Sequence, residues 1–210
     1  MSTETNFTIG FIGLGLIGGS IAKNVRRVFP NYTVIGYDTD KEALKKAVEE
    51  GVLDRPAAEL NSGFSECSYI FLCAPVQHNL QFLEQLKPYL KEGCIVTDVG
   101  SVKGGIHKKV KDLDMETCFI GGHPMVGSEK AGFSYSSDRL IENAYYFITP
   151  TEKVNTEKVK EFTSFIEELG ALTILLDAKR HDAFTAAISH VPHIMAAELV
   201  HTVRNMDTED

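Results

Sequence analysis

A glycine-rich turn, one well-placed aspartate and a histidine set among small residues are the parts of this sequence whose types and spacing can do chemistry. Gly13-Leu14-Gly15-Leu16-Ile17-Gly18-Gly19 follows the apolar run Phe7 to Ile12 and leads into a helix-like stretch, Ser20 to Val28. Strand, tight turn and helix in that order present backbone N–H groups and a helix N-terminus to a diphosphate. Gly13 permits the turn, Gly15 lets the pyrophosphate approach, and Gly18 lets helix and strand pack closely; Leu16 and Ile17 join them as cofactor-binding positions. Asp38 closes the next apolar run twenty residues after Gly18. A carboxylate there accepts hydrogen bonds from both hydroxyls of an adenine ribose and repels a 2′-phosphate. No arginine follows in Thr39-Asp40-Lys41. The pattern predicts NAD rather than NADP; a flavin is the weaker rival, and a structural turn with a surface aspartate is the bland alternative.

In an open α/β sheet, ligands sit beyond the carboxyl ends of the strands. The segments placed to ring the reactive end of the cofactor are Ala74-Pro75-Val76, Val99-Gly100-Ser101-Val102-Lys103 and Gly121-Gly122-His123-Pro124-Met125. His123, read as lying in a Gly-Gly-His-Pro turn after a strand end, is the natural proton acceptor. Its ordinary pKa of about 6.5 suits removal of a hydroxyl proton as hydride leaves the same carbon. Ser101 can hydrogen-bond that hydroxyl or orient the imidazole. Lys103 stays unassigned between a site role and a solvated helix start. His190 and His193 are three apart and share a helix face, as donors to an anionic substrate, as metal ligands or as a helix interface. No HExxH pattern or carboxylate set accompanies them, so no metal is expected.

The elements that must position these groups alternate. Thr33 to Asp38, Tyr69 to Ala74 and Cys94 to Asp98 read as strands, the last two as unbroken apolar runs of the kind covered on both faces. Lys41 to Glu50 is a helix ended by Gly51; Leu80, Leu83, Leu86 and Leu90 repeat at helical spacing; Lys103 to Lys111 makes a further helix. This rhythm predicts a doubly wound, mostly parallel Rossmann-type sheet. Cys118-Phe119-Ile120 reads as a strand, Gly121 to Ser137 as a long Gly- and Ser-rich loop, and Tyr145 to Ile148 and Leu172 to Leu176 as strands around an amphipathic helix bearing Val159, Phe162, Ile166 and Leu169. From Ala178 onward a single long helix, rich in alanine and kinked at Pro192, needs a partner. We therefore divide the chain into residues 1–177, an NAD-binding domain, and 178–210, the first helix of a truncated all-helical substrate and dimerisation lobe that packs against another subunit.

Composition sets the boundaries of this reading. The 210 residues are 43% hydrophobic and 24% charged, which fits a globular protein with a sizeable core. A net charge of −8 repels phosphate backbones and argues against a nucleic-acid partner. No continuous run approaches the roughly 18 apolar residues of a membrane span, and Met1-Ser-Thr-Glu-Thr5 lacks the basic start of a signal peptide, so a cytosolic protein is expected. Cys67, Cys73, Cys94 and Cys118 lack CxxC spacing and read as reduced thiols rather than a disulfide or zinc site.

Four segments together resemble the prephenate and arogenate dehydrogenase family: Gly13 to Ser20, Asp98-Val-Gly-Ser-Val-Lys103, Gly121-Gly-His-Pro-Met-Val-Gly-Ser-Glu-Lys-Ala-Gly132, and Ser189-His-Val-Pro-His-Ile-Met-Ala-Ala-Glu-Leu199. The similarity runs from about Phe7 to Leu199, and its second pair of segments is far more specific than the dinucleotide turn. The resemblance implies oxidative decarboxylation of prephenate to 4-hydroxyphenylpyruvate with reduction of NAD, in tyrosine biosynthesis. It implies that His123 accepts the hydroxyl proton, that Ser101 contacts that hydroxyl and the cofactor, and that Ser128 touches substrate where the family often has threonine. Glu129 would help gate the cleft, His193 hold the substrate and His190 support the helical wall, in a homodimer joined through helices. Family members extend further, with an arginine for a substrate carboxylate that no residue here matches; Lys130, Arg180 and Arg204 are the candidate cations. Arogenate as substrate and a non-catalytic NAD-binding regulatory fragment are the alternatives. A 3-hydroxyacid dehydrogenase or imine reductase would need a catalytic lysine that Ser189 to Leu199 does not supply.

Overall fold

The computed structural model describes residues 7–206; the polar ends, Met1 to Asn6 and Asp207 to Asp210, lie outside the described residues. Five parallel strands form the main sheet: β1 (Thr8–Ile12), β2 (Thr33–Tyr37), β3 (Arg55–Ala57), β4 (Tyr69–Leu72) and β5 (Ile95–Asp98), in the order β3-β2-β1-β4-β5. A second sheet, β6 (Ile120–Pro124), β7 (Tyr145–Pro150) and β8 (Leu172–Leu175), continues beyond β5 through a parallel bridge between Val96 and Phe119. Here the direction changes, because β7 runs antiparallel to β6 while β8 is parallel to β7.

Side-chain alternation along the buried strands feeds two separate cores. Ile9, Phe11 and Phe71 point to one face, against Ile21 and Val25 of α1 (Leu16–Val28) and Phe162 and Ile166 of α5 (Thr156–Glu168). Ile12, Ile70 and Leu72 point to the other, against Leu83 and Leu86 of α3 (Val76–Leu86) and Ile106 and Val110 of α4 (Gly104–Asp112). Helix α2 (Lys41–Glu49) is capped by Asp40, whose side chain accepts from the Glu42 and Ala43 amides.

Two expectations need correction, and one feature was not anticipated. Cys118 lies in a short 3₁₀ turn, Glu116–Cys118, and the strand runs from Ile120 to Pro124, so Gly121, Gly122 and His123 lie inside β6, not in a turn after it. The reason is close packing: a Cβ on Gly122 would stand 2.6 Å from Tyr146 Oη and 2.7 Å from the Asp98 carbonyl, so a residue pair that looks like a loop is what lets β6 fit. The terminal helix is α6 (Ala178–Thr185), a π-helical turn (Ala186–His190) and α7 (Val191–Met206), and the Val191 N–H reaches back to the Ala186 carbonyl. Pro192 has no N–H to donate and its ring crowds the preceding turn, so the helix widens there. Finally, the whole Ala178–Met206 helix is long and apolar enough, by length and composition alone, to cross a membrane, although no continuous apolar run signals it. Its root is anchored in the domain by the buried His181 and Thr185, while Ile194, Met195, Leu199, Val200 and Val203 are exposed.

Candidate active site

The glycine turn sits where β1 ends. Gly13 has φ of +96°, and a Cβ on it would lie 2.7 Å from the Ala74 backbone nitrogen, so both conformation and crowding demand glycine. Helix α1 has Gly15 as its N-cap, no side-chain cap and no acidic residue in its first turn, and the space beside Gly15 is open. Asp38 faces this turn. Its Oδ2 accepts from the Leu14 N–H at 2.5 Å and its Oδ1 from the Asp40 N–H at 2.8 Å, so two backbone amides orient the carboxylate and each oxygen keeps a free lone pair.

Between these groups lies a cavity of about 340 Å³ lined by Gly13, Gly15, Asp38, Ala74 and Pro75 together with Tyr37, Thr39, Cys73, His78 and Phe82. The last five were not among the cofactor-binding residues expected from the sequence. Tyr37 and Thr39 flank the aspartate, and His78 and Phe82 stand four apart on α3 directly after Pro75, a helical spacing that signals one shared face. Val76 packs toward Gly100, and Leu16 and Ile17 form the half-buried first turn of α1.

A second polar cluster occupies the ends of β5 and β6. His123, 8% exposed, places Nδ1 2.9 Å from Nε2 of His181, and His181 Nδ1 lies 2.9 Å from Asp182 Oδ1. The His123 Nε2 has no hydrogen-bond partner among the described residues and is not sealed from solvent. Burial, then the nearby Lys103 ammonium, pushes the His123 imidazole down to about 3, below the ordinary value on which the sequence expectation rests, so it stands neutral with a lone pair to accept a hydrogen bond and is a weaker base than a free imidazole. Lys103 is fully buried; its Nζ pairs with Asp98 Oδ2 and donates to the Gly122 carbonyl at 2.7 Å. Burial lowers the Lys103 pKa against the opposing pull of Asp98. Thus the lysine left unassigned by sequence is built into the site's frame.

The remaining candidates are spread around this mouth. Ser101 is exposed in the loop after β5. Ser128 and Glu129 are exposed neighbours, with the Ser128 hydroxyl 3.4 Å from Glu129 Oε2. His190 is half-buried and close enough for its charge to act on His123, whereas His193 is exposed on α7 and its Nδ1 donates to the Ser189 carbonyl at 2.9 Å. Of the candidate cations, Lys130 lies over the Tyr135 ring, Arg180 lies over Phe184, and Arg204 is on the exposed α7. His181 and Asp182 fall in none of the motifs quoted from the sequence, and they sit in the charged run Lys179-Arg180-His181-Asp182 at the foot of the terminal helix, where nothing sets them apart from solvated neighbours. The four thiols are unpaired, and burial pushes Cys67 and Cys94 up to about 12.

A glycine turn under an uncapped helix, an anchored aspartate and a neutral imidazole three strands away define a dinucleotide-binding domain of the oxidoreductase kind. Residues 21–175 match the family model described as prephenate dehydrogenase, nucleotide-binding domain, and the chain belongs to that family. A prephenate dehydrogenase of Bacillus subtilis is 36% identical over 95% of this chain and 54% of its own length, so the chain spans about half of that relative. The crystal structure of prephenate dehydrogenase from A. aeolicus in complex with hydroxyphenyl propionate and NAD+ superposes with a TM-score of 0.91 at 32% identity, covering 99% of this chain and 72% of that one. Synechocystis arogenate dehydrogenase gives a TM-score of 0.85 at 38% identity over 93% of this chain and 69% of that one.

Proposed function

We propose that this chain supplies the NAD-binding and proton-accepting half of an enzyme that converts prephenate to 4-hydroxyphenylpyruvate and CO2 in tyrosine biosynthesis. The observation that carries the reading is the neutral His123 imidazole, held through Nδ1 with Nε2 free among the described residues, at the same sheet end as the glycine turn. NAD fits the residues present. The open space above Gly15 and the free amides of α1 receive a diphosphate, and the two anchored oxygens of Asp38 receive ribose hydroxyls while disfavouring a 2′-phosphate. When bound, NAD supplies the nicotinamide that accepts a hydride.

The protein's part is to orient the substrate and move one proton. His123 Nε2 accepts the hydrogen bond of the ring hydroxyl and takes its proton as the carbon–hydrogen electron pair leaves the same carbon. Ser101 holds the hydroxyl, and Ser128, Glu129, His190 and His193 surround the rest of the substrate. The ring carboxylate departs as CO2, its electron pair passing into the ring, which becomes aromatic. The phenolate oxygen then recovers the proton from the imidazolium, so His123 ends the cycle neutral.

Steady-state rates with NAD and either prephenate or arogenate test this reading, on the chain and on a version extended to the length of its relatives. Absence of turnover on both substrates in the extended version rejects it. The likeness to an arogenate dehydrogenase favours arogenate as the second reading. Calorimetry showing NAD binding with no binding of either substrate would instead favour a regulatory fragment. The exposed apolar residues of α7 are proposed to meet a second subunit in a helical lobe, and the unpaired thiols suit the reducing cytosol.

A further inference from the structure

His181 and Asp182 stand on α6, outside the four motif segments quoted from the sequence, yet His181 contacts the proposed proton acceptor and Asp182 contacts His181. The Asp182 carboxylate is fixed by the N-terminus of α4: Oδ1 accepts from the Lys103 N–H at 2.7 Å and Oδ2 from the Gly104 N–H at 2.8 Å. Burial opposes its ionisation, but hydrogen bonds from His181, Lys103 and Gly104 outweigh that and hold the Asp182 carboxyl below its ordinary value. An ionised carboxylate only accepts. The His181 Nδ1, 2.9 Å from Oδ1, therefore carries the hydrogen and donates it.

Burial holds the fully enclosed His181 below the ordinary imidazole range, so it is neutral and its Nε2 carries a lone pair. The group 2.9 Å from that lone pair is His123 Nδ1, which must be the donor. The Thr185 hydroxyl reaches the same Nε2 at 3.4 Å and is the weaker partner. The Phe147 ring packs edge-on against His181 with centroids 5.3 Å apart, which restricts ring rotation.

We infer that His181 and Asp182 are positioning residues that fix His123 as the Nδ1–H tautomer, so that Nε2 is the nitrogen able to accept the substrate proton. The inference rests on the proposed role of His123. One carboxylate thereby ties together α4, which follows the Ser101 loop, α6 at the foot of the terminal helix, and the imidazole in β6. When His123 takes a proton, its positive charge is shared with His181 and faces Asp182, which offsets the repulsion from Lys103.

The test is long-range 1H–15N correlation NMR on the chain labelled at histidine, with the His123 signal assigned by its loss in His123→Asn. Wild type is expected to show a protonated Nδ1 and an unprotonated Nε2, the reverse of the tautomer that a free histidine side chain prefers. His181→Leu removes the acceptor and should return His123 toward the Nε2–H form, whereas His181→Gln offers an amide oxygen and should restore Nδ1–H. In turnover assays His181→Leu should lower kcat about tenfold or more at unchanged NAD affinity, and His181→Gln should recover most of it. An Nε2–H signal in wild type, or no change in His181→Leu, overturns the inference; should His181→Leu fail to fold, the wild-type spectrum decides. An Nδ1–H signal in a protein without turnover on either substrate keeps the tautomer assignment and rejects the proposed reaction instead.

Discussion

Lys103 and Asp98 form an ion pair sealed from solvent, with 0% and 1% of their side chains exposed. The aspartate ends β5 and also accepts from the Gly100 and Gly122 amides at 2.9 and 3.3 Å, while the lysine donates to the Gly122 carbonyl. The pair therefore fastens the loop carrying Ser101 to the residue before His123. Lys103→Met leaves Asp98 buried without its cation, and we expect a loss of about 3–5 kcal/mol in urea unfolding. A midpoint within experimental error of wild type would mean that the aspartate finds another partner.

His123→Asn is expected to cut turnover by about 100-fold or more with little change in NAD affinity, because it removes the proton acceptor and leaves the glycine turn and Asp38 untouched. Steady-state kinetics paired with NAD titration checks this. Equal loss of both would identify a structural histidine.

Asp38→Ala is expected to weaken NAD binding about ten- to a hundredfold and to narrow the preference over NADP, since hydrogen bonds to a charged group are lost along with repulsion of a 2′-phosphate. Part of the affinity loss comes from freeing the Leu14 N–H that Asp38 anchors. The discriminating quantity is therefore the ratio of NADP to NAD affinity, and an unchanged ratio would place ribose recognition elsewhere.

The neutral His123 gives stability a defined pH dependence. Its folded value of about 3 lies below the unfolded value near 6.5, so acid protonates the unfolded chain first. Its contribution is whole above about pH 6.5 and is lost as pH falls toward 3, at about 1.4 kcal/mol per pH unit. Urea unfolding of wild type and His123→Asn across that range should show their stability gap shrinking as the solution is acidified. A gap independent of pH would mean that the imidazole is charged or solvated in the native state.

Much of this arrangement is legible in residue order. The glycine turn, Asp38 and the alternation of apolar runs with amphipathic stretches depend on local sterics and periodicity, and β1, β2, β4, β5 and α2 lie within a residue or two of where spacing puts them. Around His123 the local signal misleads. Gly121 and Gly122 lower strand propensity, yet they lie in β6 because Tyr146, Thr149 and Asp98 crowd them, and neighbours so far off in the chain leave no periodic trace. The same holds for the terminal helix, where Pro192 signals a kink and the backbone answers with a widened turn that ends two residues earlier, at His190.

Residue types and their spacing were enough to establish the dinucleotide-binding half, its preference for an unphosphorylated ribose, and His123 as the group to watch, since each rests on the covalent chain within a few tens of residues. Folding alone decided which nitrogen of that imidazole is free, that Lys103 is sealed against Asp98, and that His181 and Asp182 belong to the site. Lys103 and Asp98 are five positions apart and packing seals them, whereas the histidine contact and the Asp182 anchor join groups 58 and 79 positions apart in a largely buried interior, where a hydrogen bond or a charge finds the partner that packing brings to it.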